Sequence, residues 1–99
     1  MHVVVNHLRL RDPVSETTLQ AAQEGVKLVV DAGGLAAHVA KVDDRHLILI
    51  LEFETAEDAG RIARDVGGPW MNEYIRPLLD RDTERSVGEV VASAEAERS

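Results

Sequence analysis

The run HLILILEF, His46 to Phe53, constrains the fold of this chain more than any other segment. A strand with one wet face alternates apolar and polar residues. Leu47 to Leu51 offers no polar alternate, so both faces of this strand require cover. The rest of the chain supplies two main helical segments, enough for one face of a small sheet, and a second copy of the same sheet is the simplest cover for the other. At 99 residues the chain reads as one domain, 1–99. A monomer of that size buries only roughly 60–65% of its unfolded surface, a margin that oligomerisation commonly supplements.

The flanking segments set the order of elements. Residues 2–10 read as a strand with Val4, Asn6, Leu8 and Leu10 on one face and Val3, Val5, His7 and Arg9 on the other. Ser15 caps a first helix whose buried stripe is Leu19, Ala22, Val26, Val29 and Val30, and Gly33-Gly34 stops it. Gly25 in its middle costs about 1 kcal/mol against alanine, which points to a close approach to the backbone there. Strands over 35–42 and 45–54 flank the turn at Asp43-Asp44 and pair as an antiparallel hairpin. Thr55 and Asp58 open a second helix to about Val66, with the small residues Ala56, Ala59 and Ala63 suggesting close contact with the sheet. Gly67-Gly68 reads as its stop, Pro69 as the start of a separate short helix to Arg76, and Glu84 to Val91 as a last strand. The tail 93–99 reads as flexible. The result is an α+β, ferredoxin-like β-α-β-β-α-β chain: a four-stranded antiparallel sheet with both helices on one side. Its bare side calls for a homodimer through sheet faces, burying more than about 2,000 Å².

Composition narrows the function classes. There is no cysteine, which excludes a disulfide framework, Cys-ligated zinc and a thiol nucleophile. Eighteen acidic against 11 basic residues give a net charge of −7, a sign that repels nucleic acid and anionic lipid, and no basic cluster offsets it. No segment approaches the ~20 apolar residues of a membrane span, so a cytoplasmic protein is the expectation. No glycine-rich phosphate loop or nucleophile elbow is present.

The polar residues at core positions are few. Asn6, between Val4 and Leu8, needs hydrogen-bond partners if buried: either it orients a substrate carbonyl or enolate, or it bonds to backbone. Trp70 and Tyr74, one helical turn apart with Met71 beside them, either wall an apolar pocket with the phenol as donor or pack a short helix onto the core. His38 and His46 fall on the hairpin and His7 on the first strand. One of them lines a pocket or serves as base, or all are structural, and no carboxylates at fixed spacing accompany them to suggest a metal. Arg9, Arg61, Arg64 and Arg76 are available to an anionic substrate or to surface pairs.

The strings VVVNHLRL (3–10), HLILILEFETAEDA (46–59) and GGPWMNEYIRPLL (67–79) resemble the antibiotic biosynthesis monooxygenase (ABM) domain of the dimeric α/β-barrel superfamily. The resemblance covers about residues 2–92. It implies a cofactor-independent monooxygenase acting on a small aromatic substrate of quinol or polyketide type, with no metal and no bound cofactor. Asn6, Tyr74 and His38 would then be catalytic, and Trp70, His7 and Met71 substrate-binding. Asn6 also stands where the heme-degrading branch carries an asparagine. The axial histidine of that branch is matched here by Tyr74, and its tryptophan by Arg61 or Ile62. The alternative is a non-catalytic dimeric module that binds a small apolar ligand or assists another enzyme. A cavity of about 300 Å³ or more converging on Asn6 and Tyr74 separates the two readings.

Overall fold

A computed structural model describes residues 1–96. Four strands, β1 (His2–Arg9), β2 (Ala36–Asp43), β3 (His46–Phe53) and β4 (Glu84–Glu89), form an antiparallel sheet in the order β2-β3-β1-β4. Helix α1 (Glu16–Asp31) joins β1 to β2, and α2 (Ala56–Ile62) opens the segment between β3 and β4. This is the expected ferredoxin-like arrangement. Beyond β4, residues 90–96 form no regular element; of the expected flexible tail 93–99, residues 97–99 lie outside the described residues.

Local chemistry accounts for the helix ends. The Ser15 side chain accepts the Thr18 N–H at 3.2 Å, and Thr18 returns the bond to the Ser15 N–H, a reciprocal cap. At the other end Gly33 takes φ +120, and the Gly34 and Gly33 N–H groups bond to the carbonyls of Val29 and Val30. That is the Schellman arrangement, and it needs a residue without Cβ at Gly33. Thr55 caps α2 through the Asp58 N–H at 3.1 Å. The buried stripe of α1 is Thr18, Ala22, Gly25 and Val29, one residue round from the expected one. Leu19 and Val30 are exposed, because α1 turns Gly25 toward the second helix, where the Trp70 ring packs on it.

The second helix departs from expectation. Gly67 and Gly68 do not stop it: both hold right-handed helical backbone, φ −65 and −61. The segment runs on from Ile62 through a π-turn (Ala63–Gly67), a single α-turn (Gly68–Trp70), a second π-turn (Met71–Ile75) and a 3-10 turn (Arg76–Leu78). Pro69 explains the first π-turn. In regular helix its ring would meet the carbonyl four residues back, and it has no N–H to bond there. Instead the Gly68 N–H reaches five residues back to the Ala63 carbonyl. A β-carbon on Gly68 would sit 2.8 Å from that oxygen, so glycine permits the turn.

Core packing lies between the sheet and these helices. Val4, Leu8, Leu47, Phe53, Ile62 and Ile75 are its most deeply buried side chains. Strand pairing puts Val5 opposite Ile50, His7 opposite Ile48, and His38 opposite Ile50, so these residues share the other face of the sheet, which the helices do not cover. There the His7 Nδ1 and His46 Nε2 atoms lie 3.0 Å apart, one ring donating to the other.

Candidate functional site

A cavity of about 390 Å³ opens between the helix-facing side of the sheet and the irregular part of the second helix. Its floor is β1 and β3, with Val4, Asn6, Leu49, Leu51 and Phe53; α1 contributes Gly25 and Val29. Its roof is Ala59, Ile62, Ala63, Gly67, Gly68 and Trp70. The small residues of the second helix were expected to bring it onto the sheet. Ala59 does pack into the core beneath α2, and Ala59, Ala63 and Gly67, four residues apart, also lack the side chains that would fill the space beside it; π-turns such as the one here recur at functional sites.

Asn6 is 8% exposed and is one of two polar residues buried in the described chain, with Thr18. It stands at Asn6 because β1 alternates, and the position faces inward with Val4 and Leu8. Its carboxamide lines the cavity. Directly across the β1–β4 pairing is Arg85. Cross-strand partners have β-carbons about 4.5–5.5 Å apart on the same face, and Arg85 also lines the cavity. Thr83, Asn72 and Arg76 complete the polar lining near the mouth, and these same three residues also line an outer depression with Asp80, Arg81 and Asp82.

Trp70 is 6% exposed and roofs the cavity. Its ring is pressed against α1 at Gly25, where an added β-carbon would lie 2.3 Å from Cζ2. The close approach expected at Gly25 is therefore the indole itself. The indole Nε1 is sealed from solvent without a hydrogen-bond partner among the described residues.

The structure brings Asn6, Trp70 and Met71 together around this cavity and leaves Tyr74, His38 and His7 outside it. Tyr74 is 45% exposed. The pair Trp70 and Tyr74 would share a face in an α-helix, but the π-turn widens the repeat, so Ile75, five residues after Trp70, is the buried partner. His38 and His7 fall on the opposite sheet face because their strands alternate. Of the arginines weighed from sequence, Arg76 reaches the cavity, Arg61 and Arg64 pair with Asp58 and Asp65, and Arg9 lies 3.5 Å from His46. Arg85, Asn72 and Thr83 were not singled out from sequence. The signal for Arg85 was available only through register, since nothing local pairs it with Asn6. Among the described residues no group of three or more His, Asp or Glu side chains is placed to hold a metal ion, and no helix is long and apolar enough to cross a membrane.

The fold is shared with proteins of known structure. A cofactor-independent oxygenase from Streptomyces nogalater, SnoaB, superposes with TM-score 0.78 over 93% of this chain and 94% of its own at 12% identity. The chain has the antibiotic biosynthesis monooxygenase fold. A Nitrosomonas europaea protein described as an antibiotic biosynthesis monooxygenase gives TM-score 0.76 at 10% identity, over 93% of this chain and all of that one. The Streptomyces coelicolor monooxygenase ActVA-Orf6, solved with nanaomycin D, gives 0.74 at 15% identity, over 97% and 92%. No family model matches the chain, and no curated protein is a significant match by sequence. At these identities the likeness is one of fold.

Proposed function

We propose that this chain is a cytoplasmic, cofactor-independent monooxygenase of ABM type, acting on a small aromatic substrate of quinol or polyketide type. The observation that carries the reading is the cavity of about 390 Å³ with the Asn6 carboxamide in its floor, above the lower end of the range for ligand sites. A bound hydroquinone or anthrone loses a proton, and the carbanion passes its electrons to dioxygen. A carbon–oxygen bond forms, and loss of water from the resulting hydroperoxide leaves a carbonyl. The substrate is its own reductant. Asn6 donates a hydrogen bond to the substrate oxygen as negative charge develops on it, where a fixed dipole in an apolar cavity acts strongly. Trp70 holds the aromatic plane, and Met71 shapes the rim.

The cavity lining contains no histidine, carboxylate, lysine or tyrosine, so the substrate proton leaves through the mouth to water. That same feature supports a second reading, a binding module without turnover. Oxygen uptake separates the two. The oxygenase reading expects uptake above the protein-free rate with at least one member of a hydroquinone and anthrone panel, reduced about 100-fold in Asn6→Ala, as for loss of an anion-stabilising donor. No uptake with any member, while ligands still bind, leaves the binding module.

We further propose that two copies associate through the open sheet faces, so that Val5, Ile48 and Ile50 of each are covered. Two helices serve one face, and an uncovered aliphatic face of this extent is disfavoured in water.

A further inference from the structure

We propose that the cavity selects aromatic ligands bearing a carboxylate, with Arg85 and Arg76 holding the acid group at the mouth and Asn6 the ring oxygen. The inference deepens the oxygenase reading and rests on the same cavity. Its ground is a local reversal of charge. The chain carries 18 acidic and 11 basic residues, yet the cavity is lined by two arginines and by no acidic residue. Among the described residues the ion pairs engage Lys27, Lys41, Arg61, Arg64 and Arg81 with neighbouring aspartates, and Arg9, Arg11 and Arg45, which also lack a carboxylate partner, lie outside the cavity. Neither Arg76 nor Arg85 has a carboxylate partner among the described residues.

Both arginines line the same cavity. Arg85 stands across from Asn6 on the helix-facing side of the sheet, and Arg76 lies on the segment that roofs the mouth with Asn72 and Thr83. Asp80 and Asp82 line the outer depression rather than the cavity, and Asp80 is held by Arg81 at 3.2 Å. A flat ligand with its rings against Leu49, Phe53 and Ile62 meets the Asn6 donor on the floor and positive charge only from Arg76 and Arg85. Arginine suits that role because its planar fork matches a carboxylate.

The test compares 1-hydroxy-2-naphthoic acid with its methyl ester by anaerobic calorimetry at pH 7.5. In the intact protein the acid binds about tenfold or more tightly than the ester, the gain expected of a charge-assisted pair. In Arg85→Gln and Arg76→Gln the acid loses that advantage while the ester is bound as before, and Lys27→Gln, whose partner is Asp31 on the surface, leaves the ratio unchanged. Equal binding of acid and ester, a ratio untouched by both arginine substitutions, or no binding of either probe overturns the inference. Oxygen uptake with 1,4-dihydroxy-2-naphthoic acid and its methyl ester keeps this result apart from the oxygenase reading. Arginine-dependent acid binding without uptake removes the oxygenase and leaves the anion site; uptake of the acid at low concentration that is as fast in Arg85→Gln and Arg76→Gln as in the intact protein removes the anion site and leaves the oxygenase.

Discussion

The indole of Trp70 lies against the backbone of Gly25, so closely that a β-carbon there would be 2.3 Å from Cζ2 and 2.4 Å from Cε2. One glycine in the middle of α1 thus sets the height of the cavity roof. The missing side chain costs helix propensity and is retained where a ring must approach.

Gly25→Ala follows from that contact. Propensity alone would stabilise the protein by about 1 kcal/mol, but the ring, locked by its own packing, must shift. Overpacking of this kind costs about 1–3 kcal/mol, so the net change is a loss. Chemical denaturation is expected to show it, together with altered Trp70 fluorescence, and Trp70→Leu in the same chain should return part of the stability. A Gly25→Ala protein more stable than its parent would contradict this packing.

Gly60 and Gly68 give opposite results for the same substitution. A β-carbon on Gly60 meets nothing within 4 Å, so Gly60→Ala in α2 gains about 0.5–1 kcal/mol. On Gly68 it would lie 2.8 Å from the Ala63 carbonyl, and Gly68→Ala loses about 1–3 kcal/mol as the π-turn is forced open. Equal midpoints in urea for the two variants would count against the π-turn.

Asn6→Leu separates function from stability. The carboxamide serves the cavity, so an apolar side chain of similar size leaves unfolding free energy within about 1 kcal/mol of the parent or raises it. Binding of hydroxynaphthoate probes and any oxygen uptake are lost. A large loss of stability would instead mean that Asn6 is a structural residue.

Ile50→Asp addresses assembly. Ile50 faces the open side of the sheet between Val5 and His38, so a charge there disfavours a sheet-to-sheet dimer without entering the core. Sedimentation is expected to give a dimer for the parent and a monomer for the variant. A folded parent monomer at micromolar concentration would end the proposal.

Much of the architecture was legible from local rules. The aliphatic run of β3, the Ser15 and Thr55 caps, the glycine stop at Gly33 and the alternation of β1 are each decided within a few residues, so they survive without knowledge of the fold. Asn6 was visible for the same reason, as a polar residue on an apolar face. The second helix misled because Gly-Gly-Pro has two meanings. In an isolated segment it ends a helix; here the surrounding packing holds the backbone helical, and the strain at Pro69 is absorbed by a bond reaching five residues back.

What the chain determined by itself was its element order, the caps and the two faces of β1, because those follow from periodicity and nearest neighbours. Tertiary structure alone decided that Tyr74 turns outward, that the helices cover the Asn6 face of β1 and leave His7 and His38 behind the sheet, and that Arg85 comes beside Asn6. The reason is distance along the chain. Arg85 and Asn6 are brought together by the β1–β4 register, and such long-range pairing is set by the packing of the whole sheet rather than by any residue near either one.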